Sequence, residues 1–265
     1  MNSKLFVVLV GLFSIATSNP LEEIYSPFII DGEIVGPKDI PFAVGIMLHR
    51  PQNPGFCGGA LISRNYVLTA ASCLVGVPRA SVLLGASNIN QANDTIESAE
   101  LIPHPLFDAS EARNDIGLIK LARPADLSDF IGVVRLPKWS ERKKSFSGVS
   151  VTTFGWGNRG KLWEKIPVES LHAVKEEVIT NFSCLGRYPA YITSSNICTG
   201  SAGTPCTGDE GGAMFMLEAD EKPTAIGVFS YQFSMGCTWG WPPVYARITS
   251  YLEWIQSNSD VIIRD

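Results

Sequence analysis

An all-β fold of barrels or sandwiches is predicted by three observations: the apolar runs are short, they are rich in β-branched residues, and turn-forming residues separate them. The runs fall at residues 43–48, 60–62, 66–68, 82–84, 116–121, 149–154 and 224–230. Pro51, Asn53 and Pro54 follow the first run, Asn65 parts the second from the third, and Gly85, Pro124 and Gly155 close the fourth, fifth and sixth. Each reads as a strand because it is shorter than an ordinary helix and stops at a residue that breaks the ladder. Only the C-terminal end reads as helix, at about residues 249–258. Ser250-Tyr251-Leu252-Glu253 has the form of a capping box, and Tyr251, Trp254 and Ile255 can share one face. Residues 259–265 are left as a tail, and no internal repeat is evident.

A chain of 265 residues with 45% hydrophobic content is long enough to bury a substantial core. At the N-terminus, Lys4 precedes the apolar run 5–15, and Ala16 and Ser18 form a small-residue cleavage pattern. Residues 1–18 therefore read as a secretory signal, too short to span a bilayer, and the product as extracellular with no membrane association. A buried N-terminal strand or an uncleaved anchor is the alternative.

The net charge is −5, and about −6 once Lys4 is removed, which points away from nucleic acid. Arg142-Lys143-Lys144 and the trio Arg159, Lys161 and Lys165 are local exceptions. They could meet an anionic glycan or an acidic protein face, or simply form a solvated surface. Six cysteines in an exported chain imply disulfides, but spacing alone does not choose among their pairings. A metal site is disfavoured, because no Cys-x-x-Cys pair occurs and the three histidines lack ligand spacing. No cofactor is indicated. Asn93-Asp94-Thr95 and Asn181-Phe182-Ser183 are candidate glycosylation sequons.

A series of ordered segments narrows the reading. Ile29-Ile30-Asp31-Gly32, Cys57-Gly58-Gly59-Ala60-Leu61-Ile62, Leu68-Thr69-Ala70-Ala71-Ser72-Cys73 and Asn114-Asp115-Ile116-Gly117 are followed by Gly155-Trp156-Gly157, Gly208-Asp209-Glu210-Gly211-Gly212 and Pro242-Pro243-Val244-Tyr245-Ala246-Arg247. Together they resemble the chymotrypsin-fold, trypsin-like serine proteases over about residues 29–258. The segment 205–209 and the tail 249–256 are similar to the arthropod brachyurin-like, chymotrypsin-like branch. The resemblance implies two packed six-stranded antiparallel barrels, about 29–138 and 139–248, and a C-terminal helix. It also implies disulfides Cys57 with Cys73, Cys184 with Cys198 and Cys206 with Cys237. Segment 19–28 takes the place of a short propeptide.

Two positions depart from the family pattern. Ser72 stands where the resemblance places the general base, and Glu210 where it places the nucleophile, while Asp115 keeps the third position. A hydroxyl nucleophile needs an adjacent proton acceptor, and neither partner of that couple is present. The remaining histidines, His49, His104 and His172, map away from the cleft. Asp115 is expected to be a buried structural carboxylate satisfied by Ser230, nearby amides and Ser72. The Glu210 carboxylate either occupies the oxyanion hole formed by the amides of Gly208 and Glu210 or points to solvent.

Asp209 is the expected partner of the α-amino group at Ile29. Phe28 precedes Ile29 and offers a trypsin-like activator no basic residue, so a retained segment 19–28 and a zymogen-like arrangement of loops 155–165 and 200–210 are expected. By resemblance Thr204 lies at the base of the specificity pocket, with Gln232 and Pro243 at walls usually made of glycine. Residues 230–232 form the cleft strand to which a peptide could add.

The functional expectation is a secreted pseudoprotease, not an enzyme and with no catalytic residues. It would act by binding an extracellular protein such as a protease, a protease substrate or a host factor, as regulator, cofactor or decoy. One alternative is residual or altered endopeptidase activity, and another is a glycan- or anion-binding protein using the basic loops. Carboxylate-pair chemistry of the glycosidase kind, through Asp115 and Glu210, lacks any sugar-site feature in the sequence.

Overall fold

A computed structural model describes residues 32–157, 169–201, 203–233 and 237–265. The expected leader 1–18, segment 19–28, Ile29, the basic trio Arg159, Lys161 and Lys165, and most of loop 155–165 lie outside the described residues.

The N-terminal barrel is built from β2 (Ala43–His49), β3 (Gly55–Leu61), β4 (Tyr66–Thr69), β5 (Arg79–Leu84), β6 (Asp94–Pro103) and β7 (Gly117–Leu121), with the short helix α1 (Ala71–Leu74) after β4. It closes in the order β2-β3-β4-β7-β6-β5, antiparallel throughout. Val44, Ile46 and Leu48 alternate along β2 and are buried with Val67, Val82, Leu118 and Ile119, so the period of two supplies the core.

The second barrel uses β8 (Ser150–Gly155), β9 (His172–Ile179), β10 (Asn196–Thr199), β11 (Ala213–Leu217), β12 (Pro223–Tyr231) and β13 (Val244–Arg247), with helices α2 (Asn181–Leu185) and α3 (Leu252–Asn258). The order β9-β10-β13-β12-β11-β8 is closed by β8 pairing with β9. Strand β1 (Glu33–Ile34) precedes the first barrel in the chain, yet it pairs with β9 of the second, Glu33 opposite Ala173.

The barrels share an aromatic seam in which Phe42 meets Phe154 at 5.7 Å and Phe215 at 5.1 Å, both edge-to-face. The three disulfides are those the resemblance implied: Cys57–Cys73, Cys184–Cys198 and Cys206–Cys237.

One local expectation needs correction, and two local features went unread. The capping box does not form, because residues 248–250 make a 3-10 turn and Tyr251 takes the N-cap of α3 without a side-chain bond. The apolar face is nevertheless as expected, with Tyr251 and Ile255 buried and Trp254 packed on the core. The tail 259–265 is docked: Trp139 N donates to the Arg264 carbonyl at 2.9 Å, Arg264 Nη2 donates to Glu218 at 2.6 Å, and Ile263 is buried. Strand β6 escaped the apolar-run reading because Ile96 is its one fully buried residue and most of its other positions are polar.

Candidate functional site

Four elements bring the site residues together. Ser72 sits in the first turn of α1, Asp115 just before β7, Glu210 in the turn ahead of β11, and Ser230 near the end of β12. The chain enters the Asp115 segment through Asn114 at φ 53, and His104 N donates to the Ile116 carbonyl at 3.0 Å. The barrels meet here through Gly58 N, which donates to the Glu210 carbonyl at 2.8 Å.

Asp115 is buried and fully engaged. Its Oδ1 accepts from Ser72 N at 2.8 Å, and its Oδ2 accepts from Ser72 Oγ at 3.1 Å and Ser230 Oγ at 2.6 Å. Burial raises its pKa above the ordinary carboxylate value, and the bonds from Ser230 and Ser72 oppose that shift. Ser72 itself is exposed, so its hydroxyl is held at the cleft surface by a carboxylate behind it.

Glu210 turns back on its own turn. Its Oε2 accepts from Gly208 N at 2.7 Å, and the Glu210 amide also donates to the carboxylate. Of the two orientations open from the sequence, the side chain adopts the one that fills the amide pair. Burial raises the Glu210 pKa, these two amides lower it, and the charge of Asp115 raises it again. The cleft therefore holds two interacting carboxyl groups, both displaced upward.

Asp209 faces the opposite way. Its Oδ1 accepts from Gly157 N at 2.6 Å and its Oδ2 from Cys206 N at 2.8 Å. Burial pushes its pKa up to about 7 against those two bonds. Gly155 and Gly157 are required by this packing, since a Cβ at either would collide with the Asp209 carboxylate. Among the described residues Asp209 is satisfied by backbone amides rather than by a cation.

The pocket side is tied together by side chains. Thr204 is buried and donates to the Cys237 carbonyl at 3.1 Å, while Gln232 Nε2 donates to the Cys237 carbonyl at 3.3 Å and the Trp241 carbonyl at 3.4 Å. Pro243 is buried beside β13. Tyr231 packs against Tyr188 at 5.7 Å, and Phe233 stacks on Trp241 at 4.0 Å. Tyr231, Phe233 and Trp241 thus form an aromatic wall beside Gln232.

The other candidates separate. His104 packs on Trp254 at 4.9 Å, His49 bonds Ser81 at 2.6 Å and His172 bonds the Ser170 carbonyl at 2.7 Å, whereas the side-chain partners of Asp115 are Ser72 and Ser230. Asn93 is exposed. Asn181 is not a free glycosylation acceptor, because its Nδ2 donates to the carbonyls of Thr193 at 2.8 Å and Asn196 at 3.0 Å, which attachment of a sugar would disrupt. Among the described residues no cluster of His, Cys, Asp and Glu is arranged to hold a metal, and no helix is long and apolar enough to cross a membrane.

Sequence reasoning missed two buried charges. Glu176 lies inside the second barrel, accepting from Thr199 Oγ1 at 2.9 Å and from Thr153 Oγ1 and Tyr245 OH at 3.3 Å, with its pKa pushed up to about 8 by burial. The signal was its place two residues before Val178 on the inward face of β9. Arg247, on β13, is 8% exposed and donates to the carbonyls of Ser194 and Asn196, both at 3.1 Å. Its burial was hidden by the usual exposure of arginine.

With this geometry in place, the relationships are clear. The trypsin family model matches residues 29–255. A collagenase of Hypoderma lineatum is 31% identical over 96% of this chain and 98% of its own length, and a trypsin of Sus scrofa is 33% identical over 86% and 94%. A solved collagenase structure superimposes with a TM-score of 0.81 at 30% identity, covering 89% of this chain and all of the other. The chain belongs to the trypsin family of chymotrypsin-fold serine proteases.

This membership corrects the expectation that the chain is no enzyme. The relatives that it matches over nearly their whole length are named as proteolytic enzymes. Loss of the hydroxyl–imidazole couple also does not empty such a cleft of chemistry, since binding and amide donors alone accelerate hydrolysis on the order of thousands-fold over water.

Proposed function

We propose that this chain is a secreted, polypeptide-binding member of the trypsin family that hydrolyses peptide bonds slowly and by altered chemistry. Its output is then occupancy of the cleft by an extracellular protein, namely a protease, a protease substrate or a host factor, whose turnover it regulates. The observation that carries the reading is the 2.7 Å bond from Gly208 N to Glu210 Oε2. A carboxylate there competes with a substrate carbonyl for the same donor, so binding and turnover are set by one side chain.

When Glu210 swings off the amide pair, the donors are released to a carbonyl oxygen and the carboxylate is free to take a proton from water. The water oxygen then adds to the carbonyl carbon, the amide C–N bond breaks, and the proton passes to the departing amine. A carboxyl group with a raised pKa is suited to this exchange near neutral pH. Ser72, Asp115 and Ser230 form the fixed wall beside it.

Cleavage of peptide and protein substrates by the purified secreted chain tests this, beside a Glu210→Gln variant and a Ser72→His, Glu210→Ser double variant. The native chain is expected to turn over slowly and to resist a serine-directed phosphonate. Glu210→Gln is expected to fall to background while still binding peptide. The double variant is expected to be faster by orders of magnitude and phosphonate-sensitive. Equal cleavage by the native chain and Glu210→Gln would remove Glu210 from the chemistry, and absence of peptide binding by both would end the proposal.

A further inference from the structure

The basic run 142–144 is held in place from below. Arg247 Nη1 donates to the carbonyls of Lys144 at 3.3 Å and Ser145 at 3.0 Å, and its Nη2 donates to Asn181 Oδ1 at 3.2 Å. Among the described residues every partner of this buried guanidinium is a neutral carbonyl, so no carboxylate there faces its positive charge. Phe146, at φ 61, turns its ring into the core and pins the far end of the loop.

Two adjoining cavities, each about 520 Å³, open at this loop and share Arg142, Lys143 and Ser250 in their walls. Arg247 lines the first, with Thr180 and Ser194, and Trp139 lines the second. Glu141, next to Arg142 in the chain, is paired with Lys144 at 2.9 Å. Arg142 lies over the Trp139 ring at 5.6 Å, which leaves its guanidinium edge without an acidic partner among the described residues. An otherwise acidic chain thus concentrates uncompensated cations over a hydroxyl-lined double cavity.

We propose that this double cavity binds a sulfated oligosaccharide. Sulfate groups would be held by Arg142, Lys143 and the field of Arg247, and sugar hydroxyls by the Thr180 and Ser194 side chains. A single small anion would engage one cavity, whereas a chain of sugars spans both. The site is distinct from the cleft and does not rest on the proposal made for Glu210.

The test is a binding titration of the full secreted chain with a sulfated glycosaminoglycan octasaccharide, the same octasaccharide desulfated, and inorganic sulfate. Arg142 and Lys143 are exposed, so an Arg142→Gln, Lys143→Gln variant is expected to fold normally. We expect it to bind the sulfated octasaccharide at least about tenfold more weakly than the native chain. We expect affinity to fall steeply between about 50 and about 300 mM salt. Unchanged affinity in the Arg142, Lys143 variant would overturn the proposal. So would equal binding of the desulfated compound, or inorganic sulfate matching the octasaccharide.

Discussion

The two barrels share a topology but not an interior. The first is filled by aliphatic residues such as Val44, Ile46, Leu68 and Leu118, and Asp115, at its edge against the second barrel, is its buried ionisable group. The second barrel encloses Glu176, Asp209, Arg247 and His172. Apolar packing is indifferent to pH, whereas a buried carboxyl group must either find donors or stay protonated. The first barrel therefore acts as a scaffold, and the charge that distinguishes this chain, including the cation beneath the basic loop, is stored in the second.

The largest effect that would sharpen this contrast is a cavity in the first barrel. Ile46→Ala is expected to destabilise the fold by about 2–5 kcal/mol. The loss, read by chemical denaturation, should be the same at pH 5 and pH 8. A loss that varied with pH would mean that the first barrel is coupled to a titrating group.

The next effect belongs to the second barrel. Folded-state pKa values near 8 for Glu176 and near 7 for Asp209 lie above those of an unfolded chain. The native state therefore binds these protons more tightly, and the resulting stability is complete in acid. It is lost progressively as pH rises from about 4 through those values. The thermal midpoint should fall over that window, and Glu176→Gln should flatten its upper half. A midpoint that rose steadily over the same range would contradict the contrast between the barrels.

The smallest expected effect lies at the docked tail. Arg264 holds the Glu218 carboxyl at a pKa of about 2, below its ordinary value, so this contribution is present at neutral pH and lost as pH falls toward 2. Arg264→Ala should cost about 1 kcal/mol at neutral pH, since the pair is partly exposed, and little in strong acid. Protease nicking of residues 259–265 should increase in that variant. An unchanged nicking rate would show that the tail is held without the Arg264 side chain, by Ile263 and the Trp139–Arg264 main-chain bond.

Much of the fold was legible because it is local. The short apolar runs at residues 43–48 and 224–230 are almost wholly buried, and β2 and β12 follow from them. Strand β6 was not legible because a strand with one fully buried residue has little alternation to read. The capping box was misread because Ser250 is drawn into a 3-10 turn that continues β13. The site positions Ser72, Asp115 and Glu210 were legible by resemblance of consecutive segments. The expectation that the chain is no enzyme did not survive comparison with the family.

The sequence by itself determined the strand pattern, the pairing class of the cysteines once the resemblance was drawn, and the chemical identity of the groups at the cleft. Tertiary structure alone decided what those groups do to one another. It turned Glu210 onto the Gly208 amide, closed Asp209 under two glycines, occupied the Asn181 amide and slid Arg247 beneath Lys144. The physical reason is separation along the chain. Strand periodicity is carried by neighbours, but Asp115 meets Ser230 from 115 residues away and Arg247 meets Lys144 from 103. Such pairings exist only once both barrels have closed.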